Sequence, residues 1–234
     1  MILYRPTDGD VQTTPSSVRP RSCFIMTQLG GDVPPSVLEI RSRVEILLAS
    51  AGYSCFDADS VTQGRDFLIK IWELAVSAPV GIAIIDQGMP AQTLANIFYE
   101  FGWMQALGKE TLVVKTPGTR IPSDFVRTEY ISYDAHFERR FRSFIAYLQE
   151  RAAYFLLVAD QLERNPILAV DYYRRAYLLT GDRSLAERAA EILRAAGLGG
   201  KAASSAEMLL AGFAPGRRER RLLKKRVARR EEAE

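Results

Sequence analysis

The spacing of apolar positions changes along this chain, and the change divides it in two. Between Ser22 and Tyr133, short apolar runs alternate with segments of helical period. Cys23-Phe24-Ile25-Met26 followed by Gly30-Gly31 predicts a strand feeding a loop. From Ser36, the residues Val37, Ile40, Val44, Leu47 and Leu48 recur at helical spacing until Gly52 ends the pattern. Tyr53 to Phe56 predicts a second strand running into Asp57 and Asp59, and Phe67, Ile71 and Leu74 mark one face of a helix over about 66–77. Val80-Gly81-Ile82-Ala83-Ile84-Ile85-Asp86 is unbroken in its apolar character, as a strand covered on both faces requires. A helix over about 93–107 closes at Gly108-Lys109, Thr111 to Val114 predicts a further buried strand, and Tyr130 to Tyr133 a short last one.

Strands alternating with helices imply an α/β fold with a doubly wound parallel sheet and right-handed crossovers. Ligands of such sheets sit beyond the carboxyl ends of the strands. That rule points at Thr27 and Gln28, Asp57 and Asp59, Asp86, and Lys115 with Thr116. After Tyr133 the period is wholly helical. Phe137, Phe141, Phe144, Ile145 and Leu148 form one stripe, and two more helices are predicted near Pro166–Leu179 and Ser184–Ala196, joined by Thr180-Gly181-Asp182. The pair looks like a tetratricopeptide-type hairpin, a single unit where stacked repeats need about three. Four regions result: a flexible leader over 1–21, the α/β domain over 22–135, a small all-helical appendage over 136–200, and a linker with a basic tail over 201–234.

Composition refines this picture in three ways. No run approaches the ~20 apolar residues of a membrane helix, and the leader lacks the basic-then-apolar order of a signal peptide, so a cytoplasmic setting is expected. Cys23 and Cys55 both fall in predicted strands and read as core thiols, with a disulfide as the alternative; His136 is the one histidine, which leaves no metal spacing and little room for histidine-dependent catalysis. Residues 217–234 hold nine Lys/Arg against four Glu, so the net charge of +3 places +5 on the tail and −2 on residues 1–216. The tail could touch nucleic acid, without sequence specificity, or an acidic surface; a solvated, frayed end is the alternative reading.

The candidate chemistry lies on the 93–107 helix. Asn96, Glu100, Trp103 and Leu107 share one stripe, and Glu100 stands among Phe98, Tyr99, Phe101 and Trp103. A carboxylate in apolar surroundings needs a partner or a purpose, and its pKa rises toward neutrality, as a nucleophile or proton carrier requires. The competing reading is a glutamate that is salt-bridged or faces solvent. Gly30-Gly31-Asp32 and Gly64-Arg65-Asp66 match no phosphate-binding fingerprint.

The order of these segments resembles two related families. Phe24-Ile-Met, Gly52-Tyr53, Ala58-Asp59, Ile71-Trp72-Glu73, Ile84-Ile85-Asp86, Asn96-Ile97-Phe98-Tyr99-Glu100-Phe101-Gly102, Ala106-Leu107-Gly108-Lys109 and Ile121-Pro-Ser-Asp-Phe125 follow one another as in nucleoside 2-deoxyribosyltransferase-like proteins and in bacterial TIR-like nucleotide-binding domains. The resemblance covers roughly residues 22–135, and its specific part is the Asn-x-Phe-Tyr-Glu-x-Gly stretch with Ala-Leu-Gly-Lys. It implies a flavodoxin-like sheet and a catalytic Glu100 acting at the anomeric carbon of a ribose. Substrate contacts are implied for Asp86, Asn96, Tyr99 and Trp103; the strand-end rule adds Thr27, Gln28 and Asp59, and Arg65 could meet a phosphate. Read from the residues alone, Asp86 is equally a strand-end cap, Tyr99 and Trp103 equally core, and Arg65 is more readily a surface arginine than a phosphate ligand. The chain departs from the families where Gln92-Thr-Leu-Ala-Asn96 replaces a frequent Asn-Pro-Asn, where Ala78-Pro79 replaces an acidic residue, and where Thr27-Gln28-Leu29 replaces Pro-Phe.

The resemblance implies cleavage of the N-glycosidic bond at ribose C1′ of NAD or a related nucleotide, in bacterial defence signalling, with the nucleotide as substrate and no further cofactor. Two alternatives stand beside it: a nucleoside 2-deoxyribosyltransferase or nucleoside monophosphate glycosidase, and a non-catalytic module that senses a nucleotide. A homo-oligomer or protein partner engaged through the helical appendage is expected in each.

Overall fold

The computed structural model describes residues 8–10, 18–60, 67–122, 125, 129–162, 164–197 and 200–214. The strands β1 (Ser22–Met26), β2 (Ser54–Phe56), β3 (Val80–Ile85), β4 (Glu110–Lys115) and β5 (Tyr130–Ser132) form one sheet in the order β2-β1-β3-β4-β5, every neighbouring pair parallel. This is the flavodoxin-like order, and its topological switch point falls between β1 and β3. β1 and β3 are buried at every position, as unbroken apolar runs between two helical layers must be.

Helices α1 (Pro35–Ser50) and α4 (Phe137–Gln161) touch one another on one side of the sheet, and α2 (Phe67–Ser77) and α3 (Ala91–Ala106) touch on the other. Within β3, Gly81 admits α3 to close range: a Cβ there would stand 2.9 Å from Met104 Cε and 3.1 Å from Met26 Cε. α4 is a single helix of 25 residues whose stripe of Phe137, Phe141, Phe144 and Leu148 runs on through Ala152, Phe155 and Ala159. It pairs with α5 (Pro166–Thr180), which pairs with α6 (Ser184–Ala195). Residues 200–211, whose composition reads partly as linker, form α7 (Gly200–Ala211), which contacts α5 and α6. The basic tail lies outside the described residues.

The appendage lies against the amino-terminal edge of the sheet. The Arg21 backbone N–H donates to Leu178 O at 2.7 Å, the Tyr53 hydroxyl to Leu179 O at 3.0 Å, and Arg19 N–H to Ser77 O at 3.0 Å. Arg21, at φ 51°, spreads its guanidinium over the carboxyl ends of two helices, donating to Ala51 O and Gly52 O after α1 and to Thr180 O of α5. Residues 18–21, expected as the end of a flexible leader, are therefore tied down, with Val18 fully buried. The carboxyl ends of the strands stay on the opposite side from α5.

Cys23 and Cys55 are free thiols standing opposite one another in register across β1 and β2. Burial pushes both up, Cys55 to about 12, so they are protonated packing groups. No helix among the described residues is long and apolar enough to cross a membrane.

Candidate active site

At the switch point the residues leaving β1 and β3 are bound into a polar network. The Thr27 hydroxyl donates to Ile84 O at 3.3 Å, stitching the ends of β1 and β3 together. The Gln28 amide donates to Gly30 O at 3.0 Å and to Asp32 O at 3.4 Å, closing the β1–α1 loop, while its Oε1 is buried without a hydrogen-bond partner among the described residues. Asp86 is 9% exposed and accepts from Gly88 N–H at 2.7 Å and from the Ser36 hydroxyl at 3.0 Å. Burial pushes the Asp86 carboxyl upward, but the bonds donated by Gly88, Thr116 and Ser36 outweigh it and hold the group below the ordinary aspartate range. The Thr119 hydroxyl, 2.7 Å from that of Thr116, extends the network. Asp86 thus caps the end of β3 and presents a fixed negative charge at the crevice.

The Glu100 carboxyl of α3 is not bonded into this network. Asp86, Thr27 and Gln28 share the carboxyl edge, whereas no hydrogen bond joins Glu100 to any of them. Glu100 shares its stripe of α3 with Asn96 and Trp103. Trp103, one turn along the same face, packs edge-on against Trp72 of α2 with ring centroids 5.6 Å apart. Phe98 and Phe101, neighbours in sequence, leave by other directions and meet Phe125 at 4.8 and 5.9 Å. The Glu100 carboxyl is half-buried and has no ion-pair or hydrogen-bond partner among the described residues. Desolvation alone pushes it up to about 7. Such a carboxyl is divided between its two protonation states at neutral pH, and can serve either as nucleophile or as proton donor.

The remaining candidates fall in different places. Trp103 is 7% exposed between Trp72 and Tyr99, so it is packed as a core residue. Tyr99 is 52% exposed, its ring centroid 4.6 Å from that of Trp103, and offers solvent its outer side. Asn96 is exposed one turn before Glu100. Asp59 is exposed on the 3-10 turn after β2; the buried acid there is Asp57, ion-paired to Arg41. Arg65 lies outside the described residues.

Sequence reasoning placed Thr116 at a strand end but passed over the hydroxyls of Ser36 and Thr119. Ser36 followed three residues later by Glu39 reads as a capping box, yet its hydroxyl turns to Asp86 and α1 has no side-chain cap. Only the fold brings β3 beside the start of α1. Among the described residues, no group of three or more His, Cys, Asp or Glu could hold a metal ion.

No protein-family model matches this chain, and no curated protein matches it. Among solved structures it is similar to a 2-deoxyribosyltransferase from the psychrotolerant bacterium Bacillus psychrosaccharolyticus, at 18% identity over 48% of this chain and 85% of that one, with a TM-score of 0.39. That score is too low to carry fold or activity across; the fold stands on the strand order itself.

Proposed function

We propose that this chain cleaves the N-glycosidic bond of a nucleoside or nucleotide, with Glu100 acting at C1′ of the sugar. The observation that supports the reading is the state of Glu100: half-buried, unpaired among the described residues and raised to about 7 by desolvation, inside the segment that resembles the deoxyribosyltransferase-like proteins. In the proposed step the base departs with the electron pair of the C1′–N bond; a nucleobase takes up a proton from solvent, whereas the cationic nicotinamide ring of NAD leaves neutral without one. The Glu100 carboxylate either adds to C1′ or stabilises the oxocarbenium-like centre electrostatically. The sugar then passes to water, which yields a hydrolase, or to a second base, which yields a transferase. Asp86 remains ionised at the strand ends, where sugar hydroxyls would find an acceptor. The narrower version, cleavage of the nicotinamide–ribose bond of NAD in defence signalling, rests on the TIR-like half of the resemblance alone.

The test is incubation of the full chain with NAD, ribonucleosides, deoxynucleosides and nucleoside 5′-monophosphates, each with and without a second base, followed by product analysis. Release of free base that disappears in Glu100→Gln supports the proposal. Nicotinamide release selects the NAD version, and an exchanged base selects transfer. A Glu100→Gln variant with full activity would overturn it, and nucleotide binding that survives Glu100→Gln without turnover by the parent chain selects a sensing module instead.

A further inference from the structure

A cleft with charged side chains set in an apolar wall opens on the opposite edge of the sheet, and Leu107, Gly108 and Lys109 line it with Val76, Phe155 and Leu178. The cleft lies where α5 passes the start of β4, with a volume of about 60 Å³ between Pro79, Gly108 and Lys109 on the sheet side and Asp171, Arg174 and Arg175 on α5. On this measure a water takes ~10–15 Å³, so the space suits a group of about five heavy atoms.

Its charges do not balance internally. Lys109, Arg174 and Arg175 line it together with Asp171 and Glu110. Glu110 is engaged from outside the cleft, accepting from Arg151 Nε at 3.1 Å and from the Tyr147 hydroxyl at 3.1 Å. Asp171 binds Arg175 Nε at 3.0 Å but stands 3.9 Å from Arg174, beyond hydrogen-bond reach. Arg174 Nε is buried with no hydrogen-bond partner among the described residues. The Lys109 ammonium donates to Val76 O at 2.8 Å, capping the last turn of α2 and leaving two N–H groups for other acceptors. The Arg175 guanidinium lies over Gly108, where a Cβ would stand 3.4 Å from Nη1. Burial first, then repulsion from Arg174 and Arg175, pushes Lys109 down to about 7, and burial pulls Arg174 down as well. Capping of helix ends accounts for Lys109, but leaves two guanidiniums sharing one carboxylate.

The geometry points to this cleft as a binding site for a phosphoryl group, docked between the α3–β4 turn and α5 and held by Lys109, Arg174 and Arg175. A tetrahedral dianion of that size supplies several acceptor oxygens to guanidinium and ammonium donors arriving from two elements, and cancels their mutual repulsion. It also joins the appendage to the sheet. The site is separate from Glu100 and stands whether or not the glycosidase reading does.

Lys109, with its lowered pKa, reports on occupancy in the full chain. The chain is labelled with trace acetic anhydride near neutral pH and the modified lysines are quantified by mass spectrometry. The buffer carries inorganic phosphate, sulfate or a nucleoside 5′-monophosphate, with chloride at equal ionic strength as reference. Phosphate is expected to slow labelling of Lys109 about tenfold while other lysines are unaffected, and Arg175→Gln is expected to remove most of that protection, to within about twofold of the chloride reference. Protection by the monophosphate but not by free phosphate assigns the site to a phosphomonoester; protection by both assigns it to the phosphoryl group itself. Equal Lys109 labelling in all buffers overturns the inference, as does protection undiminished in Arg175→Gln. Since Arg174 packs against Gly212, the Arg174→Gln variant is read only alongside its thermal midpoint; the parent chain and Arg175→Gln decide the matter without it.

Discussion

Glu100 owes its character to what is missing around it. A glutamate with an arginine in reach is held below its ordinary pKa, whereas this one is desolvated without compensation and rises to about 7 from a reference of 4.5. Because the folded-state value lies above the unfolded one, the fold favours the protonated form. Stability from this group is complete below about pH 4.5 and is lost as pH rises through about 7. The loss is on the order of 2–3 kcal/mol. Glu100→Gln is therefore expected to flatten this decline, and above about pH 7 to unfold at higher denaturant than the parent, by on the order of 2 kcal/mol in urea melts. The same substitution should lower kcat/KM for N-glycosidic cleavage by about a thousandfold or more, as loss of a nucleophile does. If the ionised form attacks C1′, kcat/KM of the parent should rise with pH and level off near 7, whereas a required proton donor would invert that profile. Asp86 behaves in the opposite sense. Its folded pKa is depressed, so its contribution is present above the ordinary aspartate range and is lost as pH falls through the folded value. Asp86→Ala leaves the Ser36 hydroxyl and Gly88 N–H without their acceptor, and should cost about 1–3 kcal/mol at neutral pH by the same urea melts.

At the level of elements, close approach governs what is tolerated. α3 can carry Glu100 beside the sheet because Gly81 leaves room for the Met104 and Met26 side chains. Gly81→Val adds bulk where even a Cβ would crowd both, and should destabilise by about 1–3 kcal/mol, measured by chemical denaturation. Arg21 plays a different part. Its cation sits where the partial negative charges of the α1 and α5 carboxyl ends meet, a favourable placement for a positive group. Gly52, at φ 79°, stands beneath that guanidinium, with a hypothetical Cβ only 2.7 Å from Nη2, so backbone conformation and space both demand glycine there.

For the molecule as a whole, the buried apolar residues form one cluster running from β1 through the sheet and α4 to Leu193 of α6. Phe141, fully buried, belongs to this shared core. Phe141→Ala should cost about 3–5 kcal/mol and lower the midpoint of a single cooperative transition; two resolved transitions in calorimetry would show instead that appendage and sheet melt separately. α5 sits on the amino-terminal edge and so does not cover the carboxyl ends of the strands, the edge at which doubly wound sheets bind ligands.

Much of this was legible in the order of residues. Runs such as Val80 to Ile85 can be satisfied only between two covering layers, and the spacing of Val37, Ile40, Val44 and Leu47 only by a helix, so element types and the parallel α/β class follow from local periodicity. Glu100 was singled out by its aromatic neighbours, which local spacing also reveals. Its lack of a partner was not legible, because a counter-ion can arrive from any element the fold brings near. For the same reason Asp57 became an ion pair with Arg41, Trp103 became core against Trp72, Ser36 became a partner of Asp86, and Lys109 met two arginines from more than sixty positions along the chain. Sequence determined which segments must bury an apolar face; tertiary structure alone decided which charges were left uncompensated, since compensation is a property of residues distant in the chain and adjacent in space.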